Sequence, residues 1–319
     1  MKIIVLDGYA LNPGDLSWEK LHGLGDVKIY DRTPAELVLK RAEGAEILLT
    51  NKTILEAGTL QLLPKLRYVG VLATGYNVID TAEARRLGIT VTNIPAYSTA
   101  SVAQHTFALI LELYLHIQRY SDSVRAGKWS KSKDFTYRDL PLRELAGKTL
   151  GIIGFGNIGR KVCEIAMAFG MKVVAYSPSK SNAPQYDGFE WDEPDGLLCR
   201  SDIVTLHCPL TPETAGMISK TKLKLMKKSA FLINTSRGPL IVEEDLADAL
   251  NTGIIAGAGL DVLALEPPPS DNPLLKAKNC IITPHIAWAT IEARTRLMEI
   301  AVENIRAFIA GSPENVVNR

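Results

Sequence analysis

Arg237, Glu266 and His285 each follow an apolar, strand-like run in the second half of this 319-residue chain, and Asp261 directly follows the run that precedes Glu266. Their types suit one reaction. Hydride transfer between a nicotinamide and a 2-keto acid needs a proton donor for the ketone oxygen, which a histidine supplies near neutral pH. It also needs a cation to polarise the carbonyl and hold the carboxylate, which an arginine does through its planar fork. A carboxylate beside the histidine favours the imidazolium and fixes its tautomer. Taken singly, each residue has a plainer reading. The arginine bridges a loop, the glutamate before Pro267 and Pro268 is solvated, and Pro284-His285 is a turn.

The element that would bring a cofactor to these residues is Leu150–Ser177. An apolar run ends in Gly154-Phe155-Gly156-Asn157-Ile158-Gly159, the G-x-G-x-x-G spacing. A helical pattern follows, with Ile158, Val162, Ile165, Ala166 and Phe169 on one face, and then a second strand from Lys172 to Tyr176. Strand, glycine turn, helix and strand form the βαβ context that dinucleotide binding requires. Gly154 permits the tight turn, Gly156 lets a pyrophosphate reach bare backbone, and Gly159 lets the helix pack closely. The helix N-terminus then faces the phosphates with unpaired N–H groups. Where an acidic residue would grip the adenosine ribose, the chain reads Ser177-Pro178-Ser179-Lys180. No carboxylate bars a 2′-phosphate there, and Ser177, Ser179 and Lys180 offer donors to one. The expectation is that NADP(H) is accepted at least comparably to NAD(H); a Lys180 pointing into solvent is the plainer alternative.

Around this unit the chain alternates strands and helices. Residues 1–98 carry strand candidates at 3–7, 27–30, 47–50, 68–72 and 90–92, with amphipathic segments such as 34–41 and 80–87 between them. This pattern predicts a parallel sheet covered on both faces. Its fourth strand runs into the polar loop Ala73-Thr74-Gly75-Tyr76-Asn77, a place where open α/β sheets bind ligands, or an ordinary turn. Residues 93–98 read as a linker. From Thr99 a helix, apolar nearly all round, is expected to about Arg119, opened by Ser101-x-x-Gln104, with His105 a hydrogen-bonded core histidine. The segment 127–142 is too long for a simple connection and suits an arm packing on a second subunit. Further strands are expected at 203–206, 230–234, 256–260 and 280–282, and a last helix at 288–310.

Composition narrows the partners. A net charge of +1 with 22% charged residues gives no electrostatic footprint for nucleic acid or a membrane surface. Cys163, Cys199, Cys208 and Cys280 form no C-x-x-C pair, so buried free thiols are expected and no metal. The start MKIIVLDGY reads as a strand rather than a signal peptide, which suggests a cytoplasmic protein.

Five motifs give the chain a resemblance to the D-isomer-specific 2-hydroxyacid dehydrogenases over its whole length. They are Gly154–Gly159, HCPLTPET at 207–214, NTSRGPLI at 234–241, GLDVLALEPP at 259–268 and TPHIAWAT at 283–290. The resemblance implies two doubly wound parallel α/β domains. One is a flavodoxin-like substrate domain of 1–98 completed by 286–319, the other a Rossmann dinucleotide domain of 99–285, with hinges and closure between them. It further implies that Arg237 holds and polarises the substrate, His285 is the acid/base and Glu266 supports it. His207, Cys208, Pro209, Thr214, Thr235 and Ser236 would line the cofactor, Asp261 would meet the nicotinamide carboxamide, and Ala73, Thr74 and Gly75 would bind the substrate carboxylate through backbone N–H groups. Trp288 in PHIAWAT looks most like the glycerate dehydrogenase (hydroxypyruvate reductase) branch, where it would narrow the pocket to small acids such as hydroxypyruvate or glyoxylate. The family is commonly homodimeric through the cofactor domain. Two alternatives stand beside this reading: a short-form phosphoglycerate dehydrogenase, and a dinucleotide-sensing binding protein akin to the C-terminal-binding-protein corepressors.

Overall fold

The computed structural model describes all residues from Met1 to Arg319. The chain forms two compact units, Met1–Ser98 with Trp288–Arg319, and Thr99–Ala287. The return crossing thus falls after Ala287, two residues beyond the expected boundary at 285/286. Five helices have eight residues or more: α1 (Thr99–Leu115), α2 (Ile117–Arg125), α3 (Asn157–Ala168), α4 (Glu243–Thr252) and α5 (Ile291–Ile309). No helix is long and apolar enough to cross a membrane.

The first unit is built on β1 (Lys2–Val5), β2 (Asp26–Ile29), β3 (Ile47–Thr50), β4 (Tyr68–Val71) and β5 (Thr90–Thr92). They lie in the order β2-β1-β3-β4-β5, all parallel. This is the flavodoxin-like order. β3 and β4 are buried along their whole length, as continuous apolar runs in a sheet covered on both faces must be. Ala293, Leu297, Ala301, Val302 and Ile305 of α5 cover one face, packing with Ile3, Val5, Leu49 and Tyr68. The C-terminal tail guards the β5 edge, where Val317 N–H donates to Val91 O at 2.9 Å.

The second unit carries β6 (Thr149–Ile153), β7 (Lys172–Tyr176), β8 (Phe189–Trp191), β9 (Ile203–Leu206), β10 (Phe231–Asn234), β11 (Gly257–Leu260) and β12 (Cys280–Ile282). Their order is β12-β11-β10-β9-β6-β7-β8, again all parallel. The order reverses between β6 and β9, so a crevice opens beyond the carboxyl ends of those two strands. β8 escapes the sequence reading because Phe189-Glu190-Trp191 sits in an acidic stretch with no apolar run. It is held by an aromatic cluster in which Phe155 meets Phe189 and Trp191 with ring centroids 5.2 Å apart in each case.

The helix expected over 99–119 is two. α1 stops at Leu115 because His116 takes a left-handed conformation at φ 52°. The Glu112 carboxylate then accepts the backbone N–H of Gln118 at 3.3 Å, supplying an acceptor at the start of α2. The apolar periodicity runs through this junction, so nothing in the pattern marks it.

Candidate active site

The glycine loop after β6 lies at the switch point. Gly154 has φ +96°, and a Cβ on it would stand 2.4 Å from the Cys208 backbone nitrogen. The loops after β6 and β9 therefore touch at backbone distance, which only glycine allows. Gly156 precedes α3 with no side-chain cap, and a Cβ there would enter open space. The first N–H groups of a twelve-residue helix thus border a cradle with room for a ligand's phosphates. His207 adds a second mark of fit. Its Nε2 pairs with Thr205 Oγ1 at 2.9 Å, whereas Nδ1 is buried without a partner. Burial pushes this imidazole down to about 3, so it stays neutral and Nδ1 is an open acceptor or donor. The cradle and the orphaned nitrogen fit a bound dinucleotide.

The other residues expected to line the cofactor divide by where their side chains go. Phe155 is buried in the aromatic cluster, so only its backbone is available. Asn157 Oδ1 accepts from Arg160 at 2.6 Å, and Ile158 packs on the core beneath. Thr214 Oγ1 donates to Pro209 O at 2.8 Å and closes the HCPLTPET turn. Ser236 Oγ donates to Cys208 O at 2.7 Å, and Thr235 Oγ1 pairs with Thr106 Oγ1 at 3.1 Å. Lys180 reaches Glu193 at 3.3 Å on the surface, and Ser179 lies near Ser181 at 3.5 Å. Ser177 is partly exposed at the end of β7. Asp261 departs most from expectation. Its side chain is fully buried: Oδ1 accepts from Thr283 Oγ1 at 2.6 Å and Ile286 N–H at 2.9 Å, and Oδ2 accepts from Ala287 N–H at 2.8 Å. The carboxylate is committed to the loop that carries His285.

On the neighbouring strand ends the ionisable set assembles. His285 Nδ1 meets Glu266 Oε2 at 2.6 Å, and Glu266 Oε1 accepts from Leu263 N–H at 3.2 Å. Nε2 has no partner within the chain. A carboxylate on Nδ1 places the proton there in the neutral ring and aims the acid/base function at Nε2. His285 sits at φ +54°, an uncommon backbone state for a non-glycine residue, and its N–H donates to Asp261 O at 2.8 Å. Arg237 follows β10; one of its five N–H groups donates to Ser236 O at 2.7 Å. Asn234 fastens that loop, donating from Nδ2 to Arg237 O at 2.8 Å. A Cβ on Gly238 would stand 2.0 Å from the Leu263 carbonyl, so the Arg237 loop lies directly on the loop that leads to Glu266.

In the first unit, loop 73–77 is tied through its carbonyls and through the Thr74 hydroxyl, which donates to Ile94 O at 2.9 Å. Asn51 Nδ2 donates to Leu72 O at 2.9 Å, Ile94 N–H to Ala73 O at 3.0 Å and Asn93 Nδ2 to Thr74 O at 2.7 Å. The backbone N–H groups of Thr74 and Gly75 find no acceptor in the chain. Trp288, in the same unit, stands edge-on to Tyr97 at 6.4 Å between centroids. The cysteines are not uniformly buried, since Cys199 is exposed. Burial raises Cys163 and Cys280 to about 12 and Cys208 to about 11, so none of these three is a thiolate near neutral pH. Sequence reasoning missed the polar residues of α1, Ser101, His105 and Thr106, as partners of the site; their only signal is polarity on an otherwise apolar helix.

Comparison with known proteins agrees with this geometry. Residues 107–287 match the family model described as D-isomer specific 2-hydroxyacid dehydrogenase, NAD binding domain. The chain is 52% identical over 322 aligned positions to a hydroxypyruvate reductase of Blautia hydrogenotrophica, covering 100% of both. It is 45% identical to a glycerate dehydrogenase of Methylorubrum extorquens, covering 99% of this chain and 98% of that one. Among solved structures, an acyclic imino acid reductase (Bsp5) in complex with NADPH and D-Arg superposes with a TM-score of 0.87 at 34% identity, over 99% of this chain and 100% of that one.

Proposed function

The chain belongs to the D-isomer specific 2-hydroxyacid dehydrogenase family, and from that premise we propose that it reduces hydroxypyruvate to D-glycerate and glyoxylate to glycolate. A nicotinamide dinucleotide, when bound, supplies the hydride. The observation that carries the reading is the Glu266–His285 pair at 2.6 Å with Nε2 left open, beside an arginine with four uncommitted N–H groups. His285 Nε2 gives its proton to the ketone oxygen as the carbonyl becomes an alcohol, and Nδ1 keeps the proton held by Glu266. Arg237 polarises the carbonyl and balances the charge of the acid. Thr74 and Gly75, with Ala73, are the proposed backbone donors to the substrate carboxylate. Trp288 is the proposed limit on substrate size. Gly154–Gly159, with the backbones of Cys208, Pro209, Thr235 and Ser236, would hold the dinucleotide. Residues 1–98 with 288–319 would be the substrate domain and 99–287 the dinucleotide domain.

For the cofactor we propose that NADPH is used at least comparably to NADH. The loop after β7 carries no carboxylate, and the structural relative quoted above holds NADPH. Lys180 is engaged by Glu193, but an exposed pair of this kind is worth only about 0–1 kcal/mol and yields readily to a phosphate. The test is steady-state reduction of hydroxypyruvate and glyoxylate with each cofactor, on the wild type and on Ser177→Asp. Turnover of hydroxypyruvate with an NADPH:NADH ratio of specificity constants near or above one, falling roughly tenfold in Ser177→Asp, is expected. No turnover of either acid removes the substrate assignment; strong rejection of NADPH by the wild type removes the cofactor assignment alone.

A further inference from the structure

α1 is a mostly apolar helix packed inside the second unit, and its polar residues are therefore conspicuous. Ser101 is 5% exposed and Thr106 wholly buried. Residues 101, 105 and 106 fall within about 140° of one another at helical spacing, so they form a single polar stripe. Each is satisfied, and none by a neighbour on another helix. Ser101 Oγ donates to Ala287 O at 2.5 Å. His105 Nε2 lies 2.9 Å from Thr283 Oγ1 and 3.4 Å from Asp261 Oδ1. Thr283 Oγ1 spends its proton on Asp261 at 2.6 Å, so His105 Nε2 must be the donor to Thr283. Thr106 Oγ1 gives its proton to Val102 O within the helix at 2.9 Å, so Thr235 Oγ1 is the donor to Thr106 at 3.1 Å.

These contacts go to two loops. Ser101 and His105 fasten 283–287, which carries His285; Thr106 fastens 234–238, which carries Arg237. We propose that the Ser101–His105–Thr106 stripe is a positioning device for the reaction, setting the proton donor and the substrate-holding cation against one shared helix. The proposal rests on the acid/base and arginine roles assigned above. It explains why buried hydroxyls occupy a helix that apolar residues would pack at least as well, since buried polar groups are retained where their hydrogen bonds fix a geometry. It also gives the left-handed His285 backbone its restraint. Asp261 holds the loop from the sheet side through Ile286 and Ala287, and α1 holds it from the other. A displacement of about 1 Å in a reacting group suffices to cost orders of magnitude in rate.

The experiment compares wild type with Ser101→Ala, His105→Leu and Thr106→Val, and with the hydroxyl-retaining Ser101→Thr and Thr106→Ser. Hydrogen exchange of the amides in 283–287 and 234–238 is read alongside kcat and KM for hydroxypyruvate and the affinity for reduced cofactor. Ser101→Ala and His105→Leu should lower kcat about tenfold with KM within about twofold, and raise exchange in 283–287 only. Thr106→Val should raise KM about fivefold and raise exchange in 234–238 only, while the hydroxyl-retaining variants recover most of each loss. Cofactor affinity should not change in the Ser101 and His105 variants, because neither residue touches the glycine loop or the 234–238 loop. Variants that melt earlier but keep wild-type constants and wild-type exchange at both loops would make the stripe merely structural and overturn the proposal. A wild type inactive on both keto acids would instead remove the substrate reading, and the exchange data would still decide whether the stripe anchors these loops.

Discussion

Two nitrogens on one ring carry the chemistry at the residue scale. Glu266 occupies His285 Nδ1, so Nε2 is the only route for a proton to the substrate. His285→Gln removes that route and leaves the glycine loop untouched. Its kcat should fall by about two to four orders of magnitude, the usual contribution of a general acid, while reduced-cofactor affinity, followed by fluorescence titration, stays within a few-fold. Glu266→Gln is subtler. An amide still reaches Nδ1, but it offers no negative charge to the imidazolium and can present its NH₂ instead of its oxygen, so the ring loses its fixed tautomer. A fall in kcat of roughly tenfold to a hundredfold with KM little changed is expected. Wild-type kcat in Glu266→Gln would mean the 2.6 Å contact does nothing for catalysis. The candidacy of Arg237, Glu266 and His285 was open to reading in the sequence because their types and their places after apolar runs are local facts. The direction of Asp261 was not. A carboxylate at a strand end reads as a ligand group until the loop 283–287 is seen to use both of its oxygens.

At the scale of elements, apolar runs declared themselves, short ones included, and elements that depend on distant residues did not. The eleven strand runs expected from the sequence, β6 and β7 among them, sit where the apolar runs lie, to within a residue or two. β8 was missed because its two aromatics flank Glu190 inside an acidic stretch, and Phe189 and Trp191 are explained only by Phe155, far away in sequence. The break at His116 was missed because it depends on Glu112 reaching forward to Gln118. His207, at the end of β9, makes a testable claim about this layer. Its imidazole is neutral in the fold down to about pH 3 because burial disfavours the charge, whereas in the unfolded chain it takes a proton below about pH 6.5. Between those limits the unfolded state binds one more proton, so this group lowers stability by about 1.4 kcal/mol for each pH unit of acidification. Urea unfolding of wild type and His207→Gln at pH 7, 6 and 5 should show the variant losing less stability on acidification, by about that slope below pH 6. Equal slopes would mean that His207 can take up a proton in the fold.

At the scale of the whole molecule, one surface lacks an explanation within a single chain. α2 and the arm at 127–142 present Ile117, Val124, Trp129, Phe135 and Leu142 to solvent, with Phe135 90% exposed. The arm is nonetheless ordered by polar ties. Trp129 Nε1 donates to Phe135 O at 3.0 Å, Tyr120 OH accepts Asp139 N–H at 3.1 Å and Leu140 N–H at 3.2 Å, and Ser123 pairs with Tyr137. A segment held in place by its hydrogen bonds while turning its large apolar side chains outward would suit a partner, since solvated monomers seldom keep such residues together. We propose that the partner is a second copy of this chain, paired through the same patch on each in a two-fold dimer. Exposed aromatics of this kind become anchors at such interfaces, and each is commonly worth about 2 kcal/mol or more on truncation, roughly thirtyfold in the dimer constant. Because a two-fold interface counts every substitution twice, Trp129→Lys with Phe135→Asp should convert the protein to monomer at micromolar concentration. Sedimentation equilibrium would read twice the chain mass for wild type and once for the variant, with the circular dichroism of the two alike. A wild type that sediments as a monomer at tens of micromolar would end the proposal, and a dimer that survives both changes would move the interface off this face.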